Sequence, residues 1–128
     1  MLYRMRLKGN AKTGGGVDRN SSGTWVEADG ATRHLALKDY AITPLGTWKS
    51  PKSGATYPMG WRLSVPGQKV ELTLKPAFPG QELVLEQRTG ATYWEGACTV
   101  TGTVDGKPVK GQAYVEMTGY KAGAERKI

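Results

Sequence analysis

Apolar and polar residues alternate along most of the chain with a period of two. Tyr3, Met5 and Leu7 alternate with Arg4, Arg6 and Lys8, the pattern of a half-buried strand. A Gly/Asn/Ser-rich loop is predicted over 9–22. A short strand follows around Thr24, Trp25 and Val26, then a turn at Asp29-Gly30 and two more strands over 33–37 and 40–45. Lys49 to Thr56 reads as a polar loop. Beyond it Tyr57, Met59, Trp61, Leu63 and Val65 alternate with Pro58, Gly60, Arg62 and Ser64 in what reads as one strand. Pro66-Gly67 marks a turn, Val70, Leu72 and Leu74 alternate with charged and polar neighbours, and Pro76 to Gly80 breaks the chain. Strands are expected over 81–88, 91–104 and 107–118. No stretch has a helical period. About nine short strands separated by turn signals predict an all-β fold, a sandwich or a barrel.

The last hairpin can be read residue by residue. Asp105-Gly106 is a type I′ signal, because both central residues need positive φ. A two-residue loop pairs Val104 with Lys107. It also puts Pro108 opposite Thr103 at a non-hydrogen-bonded position, where a missing N–H does no harm. One face then carries Trp94, Gly96, Cys98, Val100 and Gly102 against Met117, Val115, Ala113, Gly111 and Val109. Gly96, Gly102 and Gly111 are expected to open room there for Val115, Val109 and Val100.

The other face sets Glu95 directly across from Glu116. Two carboxylates at that distance repel, and where water is excluded one of them holds its proton. Glu95 and Glu116 are therefore the candidate acid–base pair. The plain alternative is a pair that faces water or is neutralised by an arginine such as Arg62.

Composition narrows the chemistry. The chain has 128 residues, 18 of them glycine, which disfavours helices. Its 38% apolar and 23% charged residues suit neither a disordered nor a membrane protein. No apolar run is long enough for a spanning helix. Arg4, Arg6 and Lys8 interrupt the place of a signal peptide, so a cytoplasmic location is expected if Met1 is the native start. One cysteine and one histidine leave no disulfide, metal-ligand set or histidine triad, and no cofactor is expected. Cys98 lies on the apolar face and His34 on a polar one. Gly14-Gly15-Gly16 lacks the Lys-Ser/Thr of a phosphate loop, and Asn20-Ser21-Ser22 is a glycosylation sequon with no leader to make it relevant.

The net charge of +7 falls in residues 1–80, which hold 12 basic and 5 acidic residues. No basic block exceeds two residues, so a solvated face is the plainer reading. A basic nucleic-acid-binding barrel is the alternative that this pattern supports least. Trp61 and Trp94 share the apolar side, which favours a core or pocket over a base-stacking platform. A pocket for a hydrophobic small molecule would be lined by Met59, Trp61, Leu63, Trp94, Val100, Val115 and Met117.

The stretches TWKSPKSGATYPMGWRLSVP (47–66), YWEGACTVTG (93–102) and GQAYVEMTGY (111–120), in this order, resemble one lipocalin-like (calycin) family. It contains hydroxyneurosporene synthase, the carotenoid hydratase, and the AttH-like secreted hydrolases. The resemblance runs over residues 1–122 and implies an antiparallel β-barrel of about 8–9 strands as one domain, with 123–128 as a tail. It also implies two tandem barrels in full-length members, of which this chain is similar to the C-terminal one. It implies a pocket for a lipid or isoprenoid type of molecule, and members that are hydratases, hydrolases or cyclases. Such members are often secreted or periplasmic. An Asp/His/Trp-containing motif of the family, expected before the segment matching Met1, is not in this sequence, so no catalytic position transfers from it. Trp48, Ser50, Tyr57, Tyr93, Tyr114 and Tyr120 match the family's framework positions. An unpaired first strand would leave a sheet edge open to a homodimer or to a separate N-terminal-type barrel.

Overall fold

The computed structural model describes residues 1–7, 16–85 and 91–121. The expected Gly14-Gly15 segment, the end of the strand over 81–88 and the tail lie outside the described residues. The described strands are β1 (Arg6–Leu7), β2 (Gly16–Val17), β3 (Ser22–Val26), β4 (Thr32–Ala36), β5 (Ala41–Pro44), β6 (Thr47–Lys49), β7 (Thr56–Pro58), β8 (Trp61–Val65), β9 (Val70–Pro76), β10 (Glu82–Leu85), β11 (Ala91–Val104) and β12 (Lys107–Thr118). Two single 3-10 turns, Leu37–Asp39 and Pro66–Gln68, are the described helical pieces. None of the described helices is long and apolar enough to cross a membrane.

The architecture is a curled, antiparallel half-barrel. Its main sheet runs β10-β11-β9-β8-β5, with β12 on the other side of β11. Three two-stranded pairs flank it: β1–β2, β3–β4 and β6–β7. The expected nine strands become more, because several long strands are interrupted without losing register.

The clearest case is the chain from Ala41 to Val65. Ala41 faces Ser64, Pro44 faces Trp61, and Trp48 faces Tyr57, so one register spans the whole hairpin. Between the two arms Leu45 N–H donates to the Gly60 carbonyl at 2.8 Å and Met59 N–H to that of Gly46 at 3.3 Å. Gly46 and Gly60 have φ of +63° and +154°, where side chains are disfavoured. The predicted strand over Tyr57–Val65 is therefore bent at Gly60 into β7 and β8, and the distal arm folds over the sheet.

A second interruption sits beside β11. Pro76 of β9 faces Cys98, and Glu82 of β10 faces Trp94, on the same edge of β11. The residues between bulge outward, and Gln81 fills the gap. Its main-chain carbonyl accepts from Glu95 N–H at 3.0 Å, while its side-chain amide accepts from Ala97 N–H at 2.9 Å and donates to the Ala97 carbonyl at 3.2 Å. A side chain thus supplies the ladder bonds that a strand peptide would otherwise make.

The β11–β12 hairpin has the predicted register throughout, from Val104 opposite Lys107 to Tyr93 opposite Thr118. Asp105 and Gly106 take φ of +50° and +74°, as a type I′ turn demands.

The glycines on this hairpin serve other neighbours than expected. A Cβ on Gly96 would meet Trp94 Cη2 at 2.2 Å, so the room is taken by the indole of its own strand. A Cβ on Gly102 would meet the Glu71 carbonyl oxygen of β9 at 2.0 Å, and Gly111 faces open space.

The inner face carries two apolar clusters. Ala55, Tyr57, Trp61, Trp94, Cys98 and Met117 form one, and Leu35, Tyr40, Val65 and Val70 the other; Ile42 packs against both. The first segment also differs from expectation. Tyr3 and Met5 are 42% and 41% exposed, and Leu2 and Arg4 turn inward instead. Arg4 Nη1 donates to the Ile42 carbonyl at 2.9 Å, which holds this side chain over the second cluster's edge. Residues 1–3 run along β3, with Leu2 bridged to Gly23, so the opening segment is not a bare sheet edge.

Candidate functional site

The inner face gathers the residues expected to line a pocket. Trp61 and Trp94 meet at 6.0 Å between ring centroids, tilted by 59°. Trp94 is fully buried, and its indole N–H donates to the Pro79 carbonyl at 2.7 Å, so the ring is fixed at both ends. Met117 is buried in the same cluster, with Met59 and Val115 half-buried against it. Val100 is buried and Leu63 half-buried further along the sheet. All seven residues are thus on the inner side.

The bent arm seals one end of this face. Trp48 stacks on Tyr57 at 6.2 Å, and Tyr57 meets Tyr120 at 5.3 Å. The tip of the arm is clamped by a carboxylate the sequence reading did not single out. Glu82 of β10 accepts hydrogen bonds from the Ser50 and Ser53 hydroxyls and, at 2.9 Å, from the Tyr57 hydroxyl. Ser50 Oγ in turn accepts from the Lys52 and Ser53 N–H groups at 3.1 Å, which sets the turn.

Burial works to raise the Glu82 carboxyl. The three hydroxyls, with the charge of Lys52, outweigh it and hold the group below the ordinary carboxylate range. Tyr57 shifts the other way: burial first, and then the Glu82 carboxylate, push its phenol up against the lowering effect of hydrogen bonds from Thr92 and Ser53. A carboxylate saturated by hydroxyl donors is a fastener and a poor proton acceptor. The signal for it was present in the Ser-x-x-Ser spacing of the polar loop, but its acceptor lies some thirty residues away along the chain.

Glu95 and Glu116 are paired across β11 and β12 as expected, and both are exposed on the outer face. The neighbour that meets Glu95 is Tyr114, whose hydroxyl donates to Glu95 Oε2 at 3.1 Å. That bond is the main reason the Tyr114 phenol is raised; slight burial and the charges of Glu95 and Glu116 add to it. Arg62 does not serve this pair: it lies opposite Thr43 and Thr73, further across the sheet.

Beside Tyr114 an open groove of about 450 Å³ is lined by Ala77, Ala97, Cys98, Thr99, Gln112 and Ala113 as well. The glutamates and the inner apolar residues occupy opposite faces of one hairpin, so a single small molecule cannot touch both sets. His34 is exposed, and Cys98 is buried, which raises its thiol. Among the described residues no cluster of His, Cys, Asp and Glu could hold a metal ion.

The sequence model of the AttH-like family matches residues 1–120. The chain belongs to the AttH-like family. A Nitrosomonas europaea protein assigned to AttH is similar to it in structure, with 35% identity and a TM-score of 0.67, covering 79% of this chain and 30% of its own. Kievitone hydratase from Nectria haematococca is similar with 26% identity and a TM-score of 0.68, covering 94% of this chain and 35% of its own. This AttH-like chain therefore spans about a third of the length of either solved relative. No protein with a curated description matches it.

Proposed function

We propose that this AttH-like chain holds a large apolar small molecule, of lipid or isoprenoid type, against the inner face of its half-barrel. The observation that carries this is the incomplete cover of that face: Leu63, Leu72, Val109 and Val115 stay half-buried alongside two packed clusters. Apolar surface left on a curled sheet gains about 25 cal/mol per Å² when a ligand removes it from water. The rest of a longer protein would supply the second wall, since the solved relatives are about three times as long. The test is a titration with farnesol or a fatty acid, read by tryptophan fluorescence from Trp61 and Trp94. Saturable quenching that Leu63→Glu weakens and Glu95→Gln leaves alone supports the reading. Quenching that is absent, or that Leu63→Glu does not change, removes it.

A second reading rests on the outer face. Glu95, Glu116 and the Tyr114 hydroxyl converge beside an open groove. A hydratase, hydrolase or cyclase could use a carboxylate pair of this kind as acid and base. A solved relative is a hydratase, which supports this class of chemistry. Loss of turnover in both Glu95→Gln and Glu116→Gln, in the full-length protein, would support it; retained turnover in either would end it.

A further inference from the structure

The longest strand edge among the described residues is the outer edge of β12. Its other edge is fully paired with β11 over Lys107–Thr118, and no described strand pairs with the outer one. Which groups face outward follows from the turn. In a two-residue type I′ hairpin the closing pair, Val104 with Lys107, is hydrogen-bonded. Every second residue after it, Val109, Gly111, Ala113, Val115 and Met117, also bonds inward to β11. The main-chain groups of Lys110, Gln112, Tyr114, Glu116 and Thr118 therefore point out to solvent. Pro108 belongs to this outward set, where it has no N–H to offer.

We propose that β12 pairs antiparallel with β12 of a second copy of this chain, about a two-fold axis at Ala113. This inference is independent of the ligand reading. The register follows from charge. Centred on Ala113, the ladder sets Lys110 opposite Glu116 of the second copy, and the two-fold repeats that contact in reverse. Gln112 faces Tyr114 of the second copy in the same way. Both are pairs of outward-pointing residues, as a hydrogen-bonded ladder requires.

Sliding by two residues, the smallest step that keeps the outward groups matched, puts Lys110 against Tyr114 or Thr118 and leaves the charges unpaired. The inner faces match too: Val109 meets Met117 and Gly111 meets Val115 of the other copy, which continues the apolar face across the axis. Lys110, Gln112, Tyr114 and Glu116 are all exposed, so nothing described has to move for the pairing to form.

Sedimentation velocity on the full chain across a concentration series tests this. A dimer is expected, weakened roughly tenfold by Lys110→Glu or by Glu116→Lys, each of which sets like charges opposite each other twice. The double variant Lys110→Glu/Glu116→Lys restores the original strength, because the swapped pairs attract again. Gln112→Pro removes an outward N–H without touching the β11 ladder and abolishes the dimer. Ala113→Cys, in a Cys98→Ala background that prevents pairing within the hairpin, gives a disulfide-linked dimer on mild oxidation. A monomer at every concentration overturns the proposal, and points to a different domain as the occupant of this edge. So does a dimer indifferent to the charge reversals and to Gln112→Pro.

Discussion

The hairpins β11–β12 and β5–β8 both keep a single register from end to end. The first turns through two residues at Asp105 and Gly106 and stays extended on either side. The second bends in mid-course at Gly46 and Gly60, so that its tip leaves the sheet and packs on Trp94 and Glu82. Register within a hairpin is a local property, set by turn chemistry and by which side of the strand is apolar. Direction is not local. The β5–β8 hairpin bends because Tyr57, Trp48 and Ser50 gain partners on strands far along the chain, and the two glycines permit it.

The sharpest way to break this comparison is Trp94→Ala. Trp94 is where the two hairpins meet, and its loss should lower stability by about 3–5 kcal/mol in urea denaturation. A shift under about 1 kcal/mol would show that the hairpins hold without each other.

Glu82→Ala should come next, at about 1–3 kcal/mol, since it strands the buried Ser50 and Tyr57 hydroxyls. Hydrogen exchange should rise in Ser50–Tyr57 and stay low in β11–β12; equal rises would mean the clamp is not specific to the bent arm. The Glu82 carboxyl is lowered by folding, so its contribution is present above the ordinary value of 4.5 and fades as pH falls through the lowered folded value. Glu82→Gln should therefore flatten the loss of stability on that acid side.

Gly60→Ala should cost about 1–2 kcal/mol, because alanine is strained at that φ and its Cβ would sit 3.4 Å from the Leu45 carbonyl oxygen. If the thermal midpoint is unchanged, the bend does not need a glycine there. The smallest expected effect is that of Glu95→Gln on the outer face of β11. It should leave the denaturation midpoint in place while moving the Tyr114 phenol back toward its ordinary 10.0, read by phenolate absorbance. An unmoved Tyr114 titration would mean the hydroxyl is not bonded to Glu95 in solution.

Much of the fold was legible at residue level. The span of β12, its pairing with β11 and the I′ turn follow from Asp105-Gly106, Pro108 and the alternation of small and large apolar residues. The all-β class follows from the same period, and the motifs in 47–66, 93–102 and 111–120 lead to the family that matches residues 1–120.

The sites were legible in part. The pairing of Glu95 with Glu116 is a matter of counting from the turn. That Tyr114 caps Glu95, while Arg62 stands elsewhere, depends on rotamer and strand order. The Glu82 clamp escaped because its donors are local to one loop and its acceptor is on another strand. Alternation alone points the wrong side of the first segment inward, because Arg4 reaches an inner carbonyl that no alternation rule contains.

By itself, then, the sequence determines the all-β class, the type I′ turn at Asp105-Gly106 and the register of the β11–β12 hairpin, because these rest on turn residues and on a period of two. Only the tertiary structure decides that Gly96 yields its space to Trp94, that Gln81 completes a ladder with its side chain, and that a hairpin bends at Gly60 to be fastened by Glu82. Each of these depends on contacts between strands distant along the chain. Neighbouring residues constrain φ and ψ, but they hold no information about which distant group will be there to meet them.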